Sequence, residues 1–190
     1  MDGKLVRLRG YERSDLEAVM KWLHDEEVTQ FIGGAVFPAS TLEEGKFIET
    51  AAAGTDVANK VFVIETLSER KYIGSIGLHN INWLCRHAEL GMVIGDKDYW
   101  GRGYGTDAVR VLLRLAFDKV GLHRIHLHVF DFNQRAISCY EKCGFRREGV
   151  LREYFFKNGR YRDTLVMSIL AGEYTQTRPH EMTSVEKGGN

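Results

Sequence analysis

The sequence predicts an α/β domain built on a mixed, mostly antiparallel sheet of seven strands with flanking helices. Three observations carry this. Three β runs between Lys60 and Ile94 are joined by short turns, which makes them an antiparallel meander. The run from His123 is entered through a helix, which sets it parallel to the strand before. Two late runs meet at Asn158-Gly159, a strong hairpin signal.

The elements follow in order. Leu5 to Arg9 alternates and reads as a strand. Ser14 and Asp15 are N-cap candidates for a helix over Leu16, Val19, Met20 and Leu23. Asp25-Glu26-Glu27 follows, then Phe31-Ile32-Gly33-Gly34, read as a loop. Thr41 caps a second helix with Glu43 and Glu44 early, where carboxylates favour the helix dipole, and this helix runs to Gly54. Lys60–Glu65, Tyr72–His79 and Arg86–Ile94 form the meander; Gly74 and Gly77 inside it suggest a bend or a close backbone approach.

Next comes Trp100-Gly101-Arg102-Gly103-Tyr104-Gly105-Thr106, then a helix whose apolar residues Val109, Leu112, Leu113, Ala116, Phe117 and Val120 make one stripe. Asp107, Arg110, Arg114 and Asp118 fall on the opposite face, and Gly121 closes the helix. His123 to Val129 is a strand. A helix from Asn133 stops at Gly144, and strands over 146–156 and 161–170 complete the sheet. The expected domain spans residues 1–174, with 175–190 a polar, disordered tail.

Composition bounds the function. The 190 residues can bury a real core, and 44% hydrophobic with 27% charged content is ordinary for a globular chain. No apolar run reaches membrane-spanning length, no signal core follows the N-terminus, and no nucleic-acid partner is expected. Three cysteines do not make a disulfide framework, so reduced thiols in a cytoplasm are expected. The formal net charge is zero but unevenly spread. Residues 1–95 carry net −4 and residues 96–163 net +5. A basic segment around a Gly-rich loop suits an anionic ligand, and an acidic one a cation; a chance distribution that mixes on folding is the alternative.

A Gly-rich turn running into a helix offers free N–H groups and the positive end of a dipole, so Gly101–Gly105 is an anion site. A Walker A loop needs a Lys that is absent. A dinucleotide loop belongs after the first strand of a βαβ unit, whereas this one follows an antiparallel meander.

The downstream residues sharpen this. Gly101 onward, with Asn133-Gln134-Arg135-Ala136-Ile137-Ser138-Cys139-Tyr140-Glu141-Lys142-Cys143-Gly144-Phe145, resembles the GNAT superfamily of acetyl-CoA-dependent N-acetyltransferases over residues 4–172. His87-Ala88-Glu89-Leu90-Gly91 and Phe155 to Asp163 look like the ribosomal-protein N-terminal acetyltransferase subgroup, a layout shared by bacterial spermidine N-acetyltransferases. The resemblance implies a sheet splayed at its centre, with acetyl-CoA in the splay. The family loop opens on Gln or Arg; here Trp100 stands there, which removes one polar side chain near the phosphates. By position, the amides of Arg102, Gly103, Tyr104, Gly105 and Thr106 would wrap the pyrophosphate. The backbone of Met92, Val93 and Ile94 would pair with the pantetheine arm, and Asn133 would contact the cofactor or simply cap its helix.

Acetyl transfer to an amine needs a neutral amine, a donor for the carbonyl oxygen and an acid for the leaving thiolate. The resemblance implies Tyr140 as that acid; the alternative is a helix residue whose hydroxyl is tied off. A backbone N–H at Met92 or Val93 would polarise the carbonyl. Glu89 is the candidate base, or else a structural or substrate-anchoring carboxylate; His79 is a weaker candidate. Cys139 and Cys143 read as packing residues. His126 and His128 share a strand face without a ligand cluster, so a solvated or stacked face is expected and no metal.

Asp25, Glu26, Glu27, Glu43 and Glu44 could attract a cationic acceptor, or be water-facing helix-end carboxylates. Tyr154, Phe155 and Phe156 wall the acceptor channel or pack in the sheet. The expected acceptor is a protein N-terminus of ribosomal type, with a polyamine such as spermidine or another small amine as the alternative. A CoA-binding regulatory module without turnover is the rival class. The resemblance makes a homodimer plausible.

Overall fold

The computed structural model describes residues 1–33, 37–157 and 159–177. Seven strands form one sheet in the order β1-β2-β3-β4-β5-β7-β6. They are β1 Val6–Arg9, β2 Lys60–Thr66, β3 Tyr72–Asn82, β4 His87–Ile94, β5 Arg124–Phe130, β6 Arg146–Lys157 and β7 Arg160–Leu170. Every neighbouring pair is antiparallel except β4 and β5. Asn158 of the expected hairpin turn lies outside the described residues, but the strands it joins pair from Lys157 opposite Arg160.

The helices are α1 Leu16–Leu23, α2 Glu26–Thr29, α3 Thr41–Ala53, α4 Tyr104–Arg114, α5 Gln134–Lys142 and α6 Ala171–Thr177. Strand alternation sends neighbours to opposite faces. Ile64 joins the core formed with α4 and α5, while adjacent Val63 joins Tyr11, Val19 and Ile48 under α1 and α3. The expected glycine approach in β3 is real. A Cβ on Gly74 would lie 2.3 Å from the Val93 carbonyl oxygen, so no side chain fits there.

Several expectations change. The acidic run from Asp25 opens a short helix that the sequence reading did not place: Asp25 accepts from the Glu27 amide at 2.9 Å and caps α2. Gly34, placed in the following loop, lies outside the described residues. Ser40, not Thr41, is the N-cap of α3. The long helix after the Gly-rich loop ends in a π-helical turn over Leu115–Lys119. The polar segment after Tyr174 is helical as far as Thr177.

Asp107, expected on the solvent face of α4, is buried. Its Oδ2 accepts from the Leu5 and Val6 amides at 2.7 and 3.1 Å, pinning the sheet's edge strand to α4. The helical stripe could not reveal this, because the partners are a hundred residues away. Asp107→Ala strands two amides against α4. Each bond to a charged acceptor is worth about 1.5–3 kcal/mol, so a loss of about 3 kcal/mol is expected in urea unfolding. An unchanged midpoint would remove the clamp.

The feature that positions the site is the β4–β5 junction. Only His87/Arg124, Ala88/Ile125 and Glu89/His126 pair in parallel. Beyond Glu89 the strands part, although β4 continues to Ile94 and β5 to Phe130. This is the central splay.

Candidate active site

The Gly-rich loop forms because its glycines take the left-handed backbone. Gly101 has φ 71° and Gly103 φ 89°, and Gly103 is the N-cap of α4. No side chain caps that end. The first-turn amides of Tyr104, Gly105 and Thr106 therefore have no intrahelical acceptor and sit at the positive end of the dipole. The loop is pinned from below. Trp100 Nε1 donates to the Ile94 carbonyl at 2.7 Å, and the Arg102 guanidinium donates to the Asp98 carbonyl at 3.0 Å.

Across the splay lies the free edge of β4. The Gly95 amide donates to Ile73, so by antiparallel alternation Val93 turns its polar backbone to β3. Met92 and Ile94 turn theirs away, toward the gap. Of the three residues expected to pair with a ligand's arm, Met92 turns both its backbone groups to the gap and Ile94 its amide, the Ile94 carbonyl being taken by Trp100.

The third wall is α5. Asn133 Oδ1 accepts from the Ala136 amide at 3.2 Å, so Asn133 does cap its helix. Its Nδ2 has no partner among the described residues. Tyr140, two turns along, is only 5% exposed, with its ring 5.7 Å from Phe145. Its hydroxyl makes no hydrogen bond among the described residues, yet Tyr140 lines the central cavity. Burial pushes this phenol up, so it stays protonated across physiological pH. Cys139 sits beside the loop, with Thr106 Oγ1 3.4 Å from its Sγ. The Cys143 thiol bonded to Cys139 pulls the latter down to about 7, while Cys143 itself is held protonated.

These walls enclose a cavity of about 1280 Å³. Lys4, Arg110, Arg135 and Lys142 line it on the side of the loop and its helices, where the one carboxylate, Asp107, is occupied by the Leu5 and Val6 amides; Glu44 from α3 and Glu89 from β4 line it elsewhere. The Glu44 carboxylate has no hydrogen bond or ion pair among the described residues. Burial raises its pKa, with a smaller push from Glu43. Glu89 is partnered: His128 Nδ1 is 2.8 Å from Oε1 and Asn80 Nδ2 3.5 Å from Oε2. Burial would raise the Glu89 carboxyl, but the His128 bond and the nearby imidazoles outweigh it and hold it below its ordinary value. His79, the weaker base candidate, also lines the cavity, and burial lowers its pKa.

The acetyltransferase (GNAT) domain family matches residues 6–146. The chain belongs to the GNAT acetyltransferase family. The spermidine N(1)-acetyltransferase of Vibrio cholerae is 39% identical over 172 residues, 89% of this chain and 95% of the relative. A Bacillus subtilis relative named for ribosomal N-acetylation, YdaF, is 34% identical over 101 residues, 53% of this chain and 55% of its own. A crystal structure of the Vibrio cholerae spermidine N-acetyltransferase with CoA and spermine superposes with a TM-score of 0.81 at 32% identity, covering 90% of this chain and 98% of that one.

As a GNAT enzyme the chain is an acetyl-CoA-dependent N-acetyltransferase. The fold brings Glu89, Met92, Val93, Ile94, Gly103, Gly105, Thr106, Asn133 and Tyr140 to one cavity, because the loop, the β4 edge and α5 meet where the sheet opens; the side chains of Arg102 and Tyr104 do not line it. Among Asp25, Glu26, Glu27, Glu43 and Glu44, only Glu44 lines the cavity. Asp25 and Glu27 instead share Lys97 Nζ, at 2.7 and 2.8 Å. Tyr154 and Phe155 line the cavity, whereas Phe156 packs 5.1 Å from Tyr161.

Two residues were missed from sequence. Arg135 lies 3.7 Å over the Trp100 ring and makes no ion pair among the described residues, so a cation from α5 stands where the family's loop side chain is missing. His128 was read as part of a solvated or stacked face, and it does stack on Tyr154, but its bond to Glu89 was not foreseen. No group of three metal-ligating side chains occurs among the described residues.

Proposed function

We propose that this enzyme acetylates a polyamine, spermidine being the first substrate to test, by direct attack on acetyl-CoA in a ternary complex. The ribosomal-type protein N-terminus expected from sequence gives way, because the ribosomal-type relative matches only about half of the chain while the spermidine enzyme matches nearly all of it. The observation that carries the reading is the charge pattern of the cavity: cations beside the loop, and the carboxylates of Glu44 and Glu89 elsewhere on the wall. A pyrophosphate suits the first and a chain of ammonium groups the second.

In this reading the amides of Arg102, Gly103, Tyr104, Gly105 and Thr106 hold the pyrophosphate. The β4 backbone at Met92 and Ile94 takes the pantetheine arm as an added strand, with Val93 between them turned to β3. Asn133 Nδ2 adds a polar contact. Tyr140 gives its proton to the leaving thiolate. Glu89, with His128 bonded to it, forms the base side, and Glu44 anchors a distal ammonium. The family resemblance also supports a homodimer, testable by sedimentation. Three free cysteines suit a reducing compartment such as the cytoplasm.

Thiol release from acetyl-CoA with spermidine, spermine and a ribosomal-type peptide tests the assignment. Spermidine is expected to give the highest kcat/KM; a faster peptide would overturn it. Glu44→Gln is expected to raise the spermidine KM about 10-fold, from the lost bond to a charged group, and to leave the acetyl-CoA KM unchanged. Equal KM values in the two proteins would remove the anchor.

A further inference from the structure

The base side of the site holds more than a carboxylate. Glu89 is the last β4 residue paired with β5, opposite His126. His128 lies two residues further along β5, on the same face, where the strands have begun to part. Its Nδ1 meets Glu89 Oε1 at 2.8 Å, with the two side chains 35% and 29% exposed. An ionised carboxylate has no proton to give, so Nδ1 carries the hydrogen and donates it. In the neutral ring this leaves Nε2 with a lone pair, and Nε2 has no partner among the described residues. The Tyr154 ring stacks on the imidazole at 6.3 Å and 16°, and both residues line the cavity.

We propose that His128, through Nε2, is the catalytic base of this enzyme, and that Glu89 is a positioning residue that fixes its tautomer and stabilises the imidazolium. The ammonium of the acceptor gives one proton to Nε2 and becomes a neutral amine. Its nitrogen lone pair attacks the thioester carbonyl. The C–N bond forms, the C–S bond breaks, and the thiolate takes the Tyr140 proton. The second amine proton leaves the new amide nitrogen and returns, through solvent, to the Tyr140 phenolate. The proton held on Nε2 then goes to water. No oxidant or further reactant is needed.

The surroundings agree. From β3, Asn80 holds the other Glu89 oxygen, and burial lowers His79. From β4, His87 packs 5.8 Å from His126. From β5, His126 lies 6.1 Å from His128; burial lowers its pKa, as do the nearby Arg124 and the two other imidazoles, while Glu89 opposes them. From β6, the Tyr154 ring stacks on the imidazole. Among the described residues, Glu89 is the one carboxylate bonded to His128.

The proposal rests on amine acetylation but not on which amine is used. The pH dependence of kcat/KM is therefore measured with whichever amine of the panel turns over, and a preference for the peptide would defeat the polyamine reading alone. His128→Gln is expected to lower kcat about 100-fold, keep the affinity for CoA, and abolish the acid limb that the wild type shows between about pH 5 and 8. Glu89→Gln keeps an acceptor for Nδ1–H and is expected to lower kcat while keeping an acid limb. Free imidazole is expected to restore part of the rate to His128→Ala. An acid limb that persists in His128→Gln and vanishes in Glu89→Gln would make Glu89 the base and overturn the proposal. Imidazole nitrogen NMR of the wild type gives an independent reading: a proton on Nε2 instead of Nδ1 at pH 8 would also overturn it.

Discussion

Tyr140→Phe is expected to lower kcat about 100-fold while leaving the dissociation constant for CoA within about threefold, since loss of a general acid costs that order of rate. The phenyl ring keeps the packing against Phe145, so the melting temperature should hold. The argument rests on a hydroxyl that is not tied off. A buried tyrosine ordinarily finds a hydrogen-bond partner, and this one has none among the described residues although it borders the cavity. Burial keeps its proton on, so the acid form survives as pH rises and the alkaline side of the rate profile should stay flat up to about pH 10. Single-turnover thiol release with pre-bound acetyl-CoA measures the effect. An unchanged rate would take the acid role away from Tyr140.

Gly103→Val should act on binding instead. At φ 89° a β-branched side chain is strained, by about 1–3 kcal/mol. The loop can relieve that strain only by rotating its amides off the anion. Calorimetric titration with CoA is expected to show affinity reduced about 10- to 100-fold, with kcat at saturation much less affected. The space beside Gly103 is open, with Leu5 Cδ1 the nearest atom at 3.7 Å from an added Cβ, so backbone conformation and not collision is the cause. Full affinity in this variant would show that the loop amides do not hold the phosphates. The pair thus separates the two ends of the site: one variant should lose rate, the other affinity.

How much was legible in the sequence follows the distance between cooperating residues. Gly101, Gly103 and Gly105 run directly into α4, and Asn133 and Tyr140 lie seven residues apart on one helix. Contiguous spacing on an element of known period places such groups without coordinates. Asp107 shows the limit. Its position on the helical wheel is solvent-facing, yet β1 arrives from the other end of the chain and buries it. Glu44 and Glu43 are adjacent, and nothing local says that only Glu44 reaches the cavity. Arg135 and Trp100 meet across the loop and α5, 35 positions apart, so the substitution at Trp100 and its neighbouring cation could not be read together.

The sequence by itself determined the seven strands, the Gly-rich turn and the helix that carries Tyr140, because periodicity and turn residues are local properties, and the residues of that turn and helix carried the family resemblance. The tertiary structure decided which backbone groups of β4 are free, which carboxylates line the cavity, and that Glu89 meets His128. Those depend on where β4 and β5 stop pairing. The parallel ladder ends after Glu89, and the released strand edges become walls of the cavity.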